Sequence, residues 1–244
     1  MANFEVVIYE KQDGVAYITL NRPGALNAYN VKMRDELYEV LGAIKDDPEV
    51  EVVLLKGAGE KAFCAGADLT EFLTAPPPVF ARKARFARDI WGLFLSVEPP
   101  IIAALHGYVL GSGIEMALCC DIRLASDDAR FGLPETGLGI IPAAGGSQTL
   151  PRTIGPAALE MLITGRWLTA AEALKLKLVN RVVPRPDLLP EAEKLARKIK
   201  SFNPLAVRSV KQALMRGLDL PLAEGLQLEA RLAQRLASLT KKYE

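Results

Sequence analysis

The first part of the chain alternates between short apolar stretches and one helical repeat. Residues 4–9 and 15–20 alternate as strands do, and the turn residues that end at Gly14 predict a hairpin between them. Residues 31–45 then repeat apolar side chains at helical spacing, and residues 50–57 form a continuous apolar run that predicts a buried strand. A strand, a helix and a strand in this order indicate a parallel sheet.

The rest of the chain continues the mixture and ends in helices. Asn30 is a candidate N-cap for the first helix. The apolar pattern after Pro78 predicts an amphipathic helix over 79–97, a buried strand over 101–108, a short helix over 113–120 and a strand over 121–126. From Gly145 onward the spacing is helical, with segments at 147–155, 157–165, 169–179, 191–200, 204–216 and 222–239.

Composition and charge are those of an ordinary soluble enzyme. The 244 residues are enough for a full core, and 50% of them are apolar. Thirty basic and 29 acidic residues leave a net charge of +1, without the basic excess typical of nucleic-acid binding. The first twenty residues lack a signal or transit pattern, and no apolar run approaches the ~20 residues that cross a bilayer. We therefore expect a soluble, cytoplasmic protein that binds neither nucleic acid nor membrane.

The cysteines and the single histidine give no sign of a metal site. Cys64 and the adjacent pair Cys119 and Cys120 lack the CxxC spacing of zinc or redox sites, so we expect reduced core thiols. His106, the single histidine, comes directly before Gly107 in a predicted buried strand.

Three segments rich in small residues each carry an isolated acidic residue. The first, AFCAGADL at 62–69, leaves backbone N–H groups free to donate to a ligand. The second, LGSGIEMALCCD at 110–121, places Glu115 before an apolar run, where a charge costs several kcal/mol unless it is paired. It lacks the third glycine of a dinucleotide-binding GxGxxG motif. The third, at 131–152, places Glu135 before a glycine-rich loop. Two carboxylates framed in this way are hard to explain as surface charges alone.

These segments, in this order, resemble the crotonase superfamily and specifically its enoyl-CoA hydratase branch. The resemblance extends from Val15 to about Pro184 and rests on LNRPGALNA, AFCAGADL, HGYVLGSGIEMALCCDIRLAS, ARFGLPETGLGIIPAAGGSQTLPRTIG and KLVNRVVP. It implies an α/β fold, a crotonase-like right-handed spiral of ββα units with a helical C-terminal segment. We expect residues 1–190 to form the spiral core that carries the acyl-CoA site. Residues 191–244 would form a helical oligomerisation segment of a homotrimer or a dimer of trimers.

The resemblance also implies a reaction. The family binds an acyl-CoA thioester, and the matching oxyanion-hole donors here are the backbone N–H groups of Ala67 and Ser112. Glu115 would orient and deprotonate a water, and Glu135 would donate a proton at Cα. The implied activity is the reversible syn addition of water to trans-2-enoyl-CoA, giving 3-hydroxyacyl-CoA, in fatty-acid or related acyl-CoA degradation. Coenzyme A is part of the substrate, and neither a metal nor another cofactor is implied.

Further residues are carried over as substrate contacts. Arg22 would face the CoA phosphates. The positions expected along CoA are Arg22, Ala25, Leu26, Ala65, Gly66, Ala67, Asp68, Leu69 and Gly111. The positions expected at the acyl group are Leu69, Phe72, Leu73, Trp91 and Leu110, with ordinary core packing as the alternative for each. One departure is Ser112, which stands where the hydratases usually have glycine. A serine there costs roughly 1 kcal/mol or more if the turn needs a positive φ.

Other functions stay open at this stage. A 3,2-enoyl-CoA isomerase can work with one carboxylate, so the presence of Glu115 beside Glu135 favours a hydratase. Hydration of ring-acyl-CoA, thioester hydrolysis and decarboxylation depend on the pocket rather than on the glutamates. A non-catalytic scaffold that binds acyl-CoA or RNA is a further alternative, which the paired glutamates and the near-neutral charge disfavour.

Overall fold

Two β-sheets organise the part of the chain that the structure, a computed structural model, describes: residues 4–72 and 88–240. The large sheet has the strand order β1-β2-β3-β5-β7-β10, and the small sheet has the order β4-β6-β8-β9. The strands are β1 Val7–Gln12, β2 Val15–Leu20, β3 Val52–Gly57, β4 Ala62–Cys64, β5 Ile101–Leu105, β6 Tyr108–Leu110, β7 Ile122–Ser126, β8 Arg130–Gly132, β9 Leu168–Thr169 and β10 Arg181–Val183.

Helices cover the sheets and form the end of the chain. In the described ranges they are α1 Val31–Asp46, α2 Leu69–Phe72, α3 Ile90–Ser96, α4 Ser112–Leu118, α5 Gly146–Ile154, α6 Ala157–Thr164, α7 Ala170–Lys175, α8 Leu188–Lys200, α9 Pro204–Gly217 and α10 Leu222–Thr240. Short 3₁₀ turns are formed by Pro23–Ala25, Glu135–Leu138 and Arg185–Asp187. The predicted cap of α1 is confirmed, because Asn30 Oδ1 accepts a hydrogen bond from Met33 N at 2.9 Å. Residues 79–87 of the helix predicted over 79–97 lie outside the described residues.

The large sheet is apolar on both faces because helices cover both. Its strands are parallel except for β1, which forms the predicted antiparallel hairpin with β2. Alternate residues of β3 point to opposite faces, so Val53 and Leu55 belong to one buried cluster and Val52 and Leu54 to another. Helix α8 supplies Ala192 to the second cluster. This helix therefore crosses the predicted boundary at residue 190, and the division into core and oligomerisation segment stays a prediction.

The predicted strand over 101–108 is wrong as a single element. The chain forms β5, turns at Gly107, and continues as β6 in the small sheet. Gly107 has a φ of +52°, and a Cβ at this position would overlap the carbonyl oxygen of Lys61. The turn thus depends on a contact from outside the segment.

The last two helices pack on each other and are tied to the sheet by basic side chains. On α9, an Arg208 Nη donates to Val50 O at 2.8 Å, and Lys211 Nζ pairs with Asp121 Oδ2 at 2.8 Å. Among the helices of the described ranges, none combines the length and apolarity that crossing a membrane requires.

Candidate active site

Three neighbouring strands of the small sheet lead into the three acidic segments singled out in the sequence. Strands β4, β6 and β8 are parallel, so their C-terminal ends lie at one edge of the sheet. The chain leaves this edge as residues 65–68 after β4, as Gly111 after β6 and as residues 133–135 after β8. Gly111 N donates to Gly132 O at 2.9 Å, which joins the segment that follows β6 to the end of β8.

Two glycines let these segments approach one another. Gly66 and Gly111 have φ angles of +102° and +49°, which side chains rarely allow. A Cβ at Gly111 would lie 3.3 Å from the Gly66 Cα and 3.0 Å from Glu135 Oε1. The structure therefore brings the segment of Ala67, the segment of Ser112 and the side chain of Glu135 into contact.

The N–H of Ala67 points away from the segment that holds it. Tyr29 N donates to Gly66 O at 2.8 Å, and Asp68 N donates to Tyr29 O at 2.8 Å. In parallel pairing, a residue forms hydrogen bonds with the residues before and after its partner. The partner's own N–H then points away from that residue. Ala67 is that partner. Within the described part of the chain its N–H donates to no acceptor.

Ser112 is the first residue of α4, so it has a helical backbone. The positive φ of this turn falls on Gly111 instead, and the cost considered for a serine does not arise. The first N–H groups of a helix have no partner inside it. The Ser112 N–H accordingly donates to no acceptor among residues 4–72 and 88–240.

Glu115 is buried and held by the glycine-rich loop before α5. Its side chain belongs to a residue that is only 3% exposed, and Oε1 accepts hydrogen bonds from Ala144 N at 2.8 Å and Gly146 N at 2.9 Å. A Cβ at Gly146 would lie 3.0 Å from Oε1, so glycine leaves room for this contact. Ala144 and Gly146 are contacts of Glu115 that the sequence interpretation missed, and the glycine pair at 145–146 was the signal available for them.

Glu135 has a different environment. It begins a 3₁₀ turn, is half-buried, and its Oε2 is buried without a hydrogen-bond partner in the described residues. Burial raises the pKa of Glu135, its own backbone N–H opposes that shift, and the negative charge of Glu115 raises the pKa further. Two nearby carboxyls with different surroundings are suited to divide acid and base roles between them.

The residues expected along CoA lie beside the first segment. Leu26 O accepts from Ala65 N at 3.0 Å, and Leu69 opens helix α2 with half of its surface exposed. Arg22 differs from expectation, because its guanidinium points back into the protein. One Nη donates to Ala28 O at 2.6 Å and the other pairs with Asp68 Oδ2 at 2.9 Å.

The residues expected at the acyl group are only partly described. Trp91 is half-buried, and its ring centroid lies 5.8 Å from that of Tyr29. Leu110 is half-buried and reaches towards Gly132, where a Cβ would lie 3.1 Å from its Cδ2. Leu73 and the side chain of Phe72 lie outside the described residues. The acyl pocket therefore stays a prediction.

His106 and the three cysteines are buried, and His106 lies away from the glutamates. Burial, with a smaller effect of Arg185, lowers the pKa of His106 to about 4. Arg185 contacts Glu60 and Asp128, which precede β4 and β8 and so mark the edge of the small sheet opposite the glutamates. Burial raises the pKa of the Cys64 thiol to about 12. In the described ranges, no group of three or more His, Cys, Asp or Glu side chains could hold a metal ion.

Comparisons with known proteins agree on one family. The family model for enoyl-CoA hydratase/isomerase matches residues 10–243. The crotonyl-CoA hydratase of Syntrophomonas wolfei is 41% identical over 93% of this chain and 88% of its own length. The (E)-benzylidenesuccinyl-CoA hydratase of Thauera aromatica is also 41% identical, over 90% of this chain and 86% of its own. A crystal structure of a Geobacillus kaustophilus enoyl-CoA hydratase subunit covers 96% of this chain and 91% of its own, with 39% identity and a TM-score of 0.91. The chain belongs to the enoyl-CoA hydratase/isomerase family.

Proposed function

We propose that this protein is an enoyl-CoA hydratase, which adds water reversibly and syn to a trans-2-enoyl-CoA. The observation that carries the proposal is the unequal pair of glutamates beside the N–H groups of Ala67 and Ser112, which donate to no acceptor in the described residues. Glu115 is held by two backbone donors, whereas Glu135 has a raised pKa and a buried oxygen without a partner in the described residues. This arrangement suits the delivery of a water and of a proton to adjacent carbons.

The N–H groups of Ala67 and Ser112 would bind the thioester carbonyl oxygen. Addition of water to Cβ places negative charge on Cα, and the charge spreads to this oxygen as an enolate. Backbone donors that are already in position stabilise the charge without reorganisation, and losing one such donor costs about 2.7–4 kcal/mol. The small residues around both donors leave space for the thioester.

The two glutamates would divide the proton transfers. Glu115 accepts a proton from the water whose oxygen bonds Cβ, and Glu135 gives a proton to Cα. Glu115 is then protonated and Glu135 ionised, and one proton passing from Glu115 to Glu135 restores the starting state. The sum of these steps is the addition of H₂O, so the reaction requires no redox cofactor.

Hydration is favoured over isomerisation because a single carboxylate suffices to move a proton between carbons. The second carboxylate here is buried and held in one orientation by the N–H groups of Ala144 and Gly146, as a group that acts on a water must be. The two relatives described above are both named hydratases, but of different acyl-CoA substrates, at the same 41% identity. Overall similarity therefore supports hydration as the reaction, whereas the preferred acyl group depends on the residues of the pocket.

The test is turnover of crotonyl-CoA, followed by the loss of absorbance of the conjugated thioester. We expect Glu115→Gln and Glu135→Gln each to lower kcat by about 10²- to 10⁴-fold. Glu160→Gln is a control, because Glu160 lies on α6 with an exposed side chain. A Glu115→Gln variant with the wild-type hydration rate would refute the two-glutamate mechanism. Tight CoA binding without turnover of any enoyl-CoA would instead favour the scaffold.

We further propose that the C-terminal helices are buried in a homo-oligomer. Helices α9 and α10 and the turn between them expose large apolar side chains, including Leu218 at 83% and Leu222 at 79%. Apolar area of this kind on a soluble chain marks an interface. Sedimentation equilibrium of the wild type and of a Leu218→Glu, Leu222→Glu double variant would test it, with dissociation of the variant expected. A cytoplasmic location stays a prediction of the sequence.

A further inference from the structure

The Arg22 side chain joins the two segments that hold Ala67 in place. Its guanidinium donates to Ala28 O at 2.6 Å and pairs with Asp68 Oδ2 at 2.9 Å. Asp68 directly follows Ala67, and Ala28 directly precedes Tyr29, the residue paired with Ala67. We call these three groups, Arg22, Ala28 O and Asp68, the arginine tie.

The arginine tie is partly buried, and its two charged side chains pair with each other. The side chains of Arg22 and Asp68 are 21% and 12% exposed. The other oxygen of Asp68 accepts from Thr70 N at 3.1 Å and from Thr70 Oγ1 at 2.7 Å. An arginine fork bound at two of its nitrogens holds its partners in one geometry. It also has fewer donors left to offer to a phosphate.

The backbone of Arg22 is itself anchored to the small sheet. The Asn27 side chain is fully buried, and its Oδ1 accepts from Arg22 N at 2.8 Å. Its Nδ2 donates to Ala58 O at 2.9 Å and to Ala62 O, in β4, at 2.8 Å. Strand β4 therefore supports the Ala67 segment in two ways. It leads directly into that segment, and through Asn27 it anchors Arg22, which pairs with Asp68.

We propose that Arg22 is a positioning residue, which fixes the direction of the Ala67 N–H through Asp68 and Ala28, rather than a ligand of the CoA phosphates. The proposal rests on the proposed function, in which that N–H binds the thioester oxygen. A donor of this kind works only within a narrow geometry, and a misplacement of about 1 Å can cost on the order of 10²-fold in rate. The tie restrains the segment against such a shift.

The experiment compares a substrate with phosphates and one without. Arg22→Met, Arg22→Lys and Asp68→Asn are assayed with crotonyl-CoA and with the crotonyl thioester of N-acetylcysteamine. We expect kcat/KM of Arg22→Met to fall about 10- to 100-fold with both thioesters. With crotonyl-CoA, the loss should appear in kcat rather than in KM. Asp68→Asn should fall similarly, and the double variant should be no worse than the worse single one. Lysine keeps the charge but loses the fork, so Arg22→Lys should recover only part of the rate.

A spectroscopic readout reports on the donor itself. The absorbance of 4-(dimethylamino)cinnamoyl-CoA moves to longer wavelength when its carbonyl is polarised. At saturation we expect a smaller shift in Arg22→Met and Asp68→Asn than in the wild type. Arg185→Met is the matched control, because Arg185 also joins an aspartate and a backbone carbonyl, Asp128 and Glu60 O, at the opposite edge of the sheet. We expect it to keep the wild-type shift.

Distinct results would overturn each proposal. If Arg22→Met raises only KM for crotonyl-CoA and leaves both the truncated thioester and the absorbance shift unchanged, Arg22 binds phosphate and the tie is refuted. If Arg22→Met does not fold, Asp68→Asn decides by the same two measurements. A wild type that shifts the probe but hydrates no enoyl-CoA would refute the hydratase while the shift still tests the tie.

Discussion

At the scale of single residues, the two glutamates differ in what surrounds their oxygens. Glu115 has an oxygen that accepts two backbone hydrogen bonds, from Ala144 N and Gly146 N. Glu135 has a buried oxygen with no partner in the described ranges, which favours its neutral form. The raised pKa of Glu135 has a consequence for stability.

We expect Glu135→Gln to stabilise the protein at pH 7 while it removes activity. The folded-state pKa of Glu135 is raised, so ionising it costs the folded state free energy that glutamine does not incur. The gain in the free energy of unfolding should be about 0.5–2 kcal/mol, as for other changes that relieve an active site. It should disappear below about pH 4, where the wild-type carboxyl is neutral in both the folded and unfolded states.

Urea unfolding of wild type and variant at pH 7 and pH 4 measures this difference. Glu160→Gln serves again as the control, because its exposed carboxylate contributes no burial cost. A Glu135→Gln protein that is less stable than the wild type at pH 7 would contradict the prediction.

Single residues also mark where sequence reasoning stops. Glu115 and Glu135 stand out in their own segments and the resemblance adds Ala67 and Ser112, and the structure brings those segments together. The partner of Arg22 could not be selected in this way, because Asp68 comes from another segment and meets Arg22 only after both loops have folded. The conformation of Ser112 was also open until the positive φ was located at Gly111.

At the scale of elements, short strands and a short helix position the site. Helix α4 has seven residues, all of them buried. A Cβ at Gly113 would overlap the carbonyl oxygen of Cys64, so the helix lies directly on the end of β4. Glu115 is therefore located by contact between two elements rather than by a flexible loop.

Another buried glutamate joins β1 to α1. Glu36 Oε2 accepts from Val6 N and Val7 N, each at 2.8 Å, and Glu36 also accepts from Glu5 N at 3.0 Å. Glutamine has one acceptor oxygen fewer and no charge, so some of these N–H groups lose their partner. We expect Glu36→Gln to lower the free energy of unfolding by about 1–3 kcal/mol.

Thermal and urea unfolding of Glu36→Gln would measure this loss. Glu39→Gln on the same helix is the control, since its side chain is exposed and pairs with Arg88 at 3.4 Å, and its effect should stay within about 0.5 kcal/mol. Equal stabilities of the two variants would show that the backbone hydrogen bonds to Glu36 contribute nothing measurable.

Element boundaries follow local pattern only where local chemistry sets them. The helix predicted over 31–45 is confirmed as Val31–Asp46 because its cap, Asn30, is a neighbour in sequence. The run over 101–108 is interrupted only by His106 and Gly107, and a single glycine inside such a run does not show whether the strand ends there. Its division at Gly107 is imposed by Lys61, which belongs to the connection before β4.

At the scale of the whole molecule, the site and the lone histidine lie at opposite edges of the small sheet. His106 is 4% exposed, and its Nε2 has no hydrogen-bond partner in the described part of the chain. Protonation would bury a charge close to Arg185, and these two costs lower the pKa to about 4 although Asp128 and a hydrogen bond to Gly59 favour the protonated form. Acid should therefore destabilise the fold through this residue.

The pH window follows from the two states of His106. Below its ordinary pKa of 6.5 the unfolded chain binds a proton, while the folded chain does so only near pH 4. The wild type thus loses stability as the pH falls from 6.5 towards 4. Between pH 7 and pH 5 we expect it to lose about 1–2 kcal/mol more than His106→Gln does.

Urea unfolding of both proteins at pH 7 and pH 5 tests this expectation. The chain has one histidine, so no other imidazole contributes to the difference. Equal losses in the two proteins would mean that His106 takes up its proton in the folded state at an ordinary pH.

The sequence predicts the overall architecture better than it predicts the contacts between helices and strands. The α/β class and the helical end of the chain follow from apolar spacing and from the resemblance, and the structural neighbours confirm both. The packing of α8 on the large sheet through Leu188, Ala192 and Ala196 was not expected, since an amphipathic helix face does not show whether it covers a sheet or another subunit.

The N–H groups of Ala67 and Ser112 belong to the main chain, and this limits what genetics can detect. A side-chain substitution leaves a backbone donor in place. A systematic alanine scan would register Glu115 and Glu135, and it would leave Ala67 untested because alanine is already there. Replacing single amides by esters, through chemical synthesis or codon reassignment, would be needed to remove those donors one at a time.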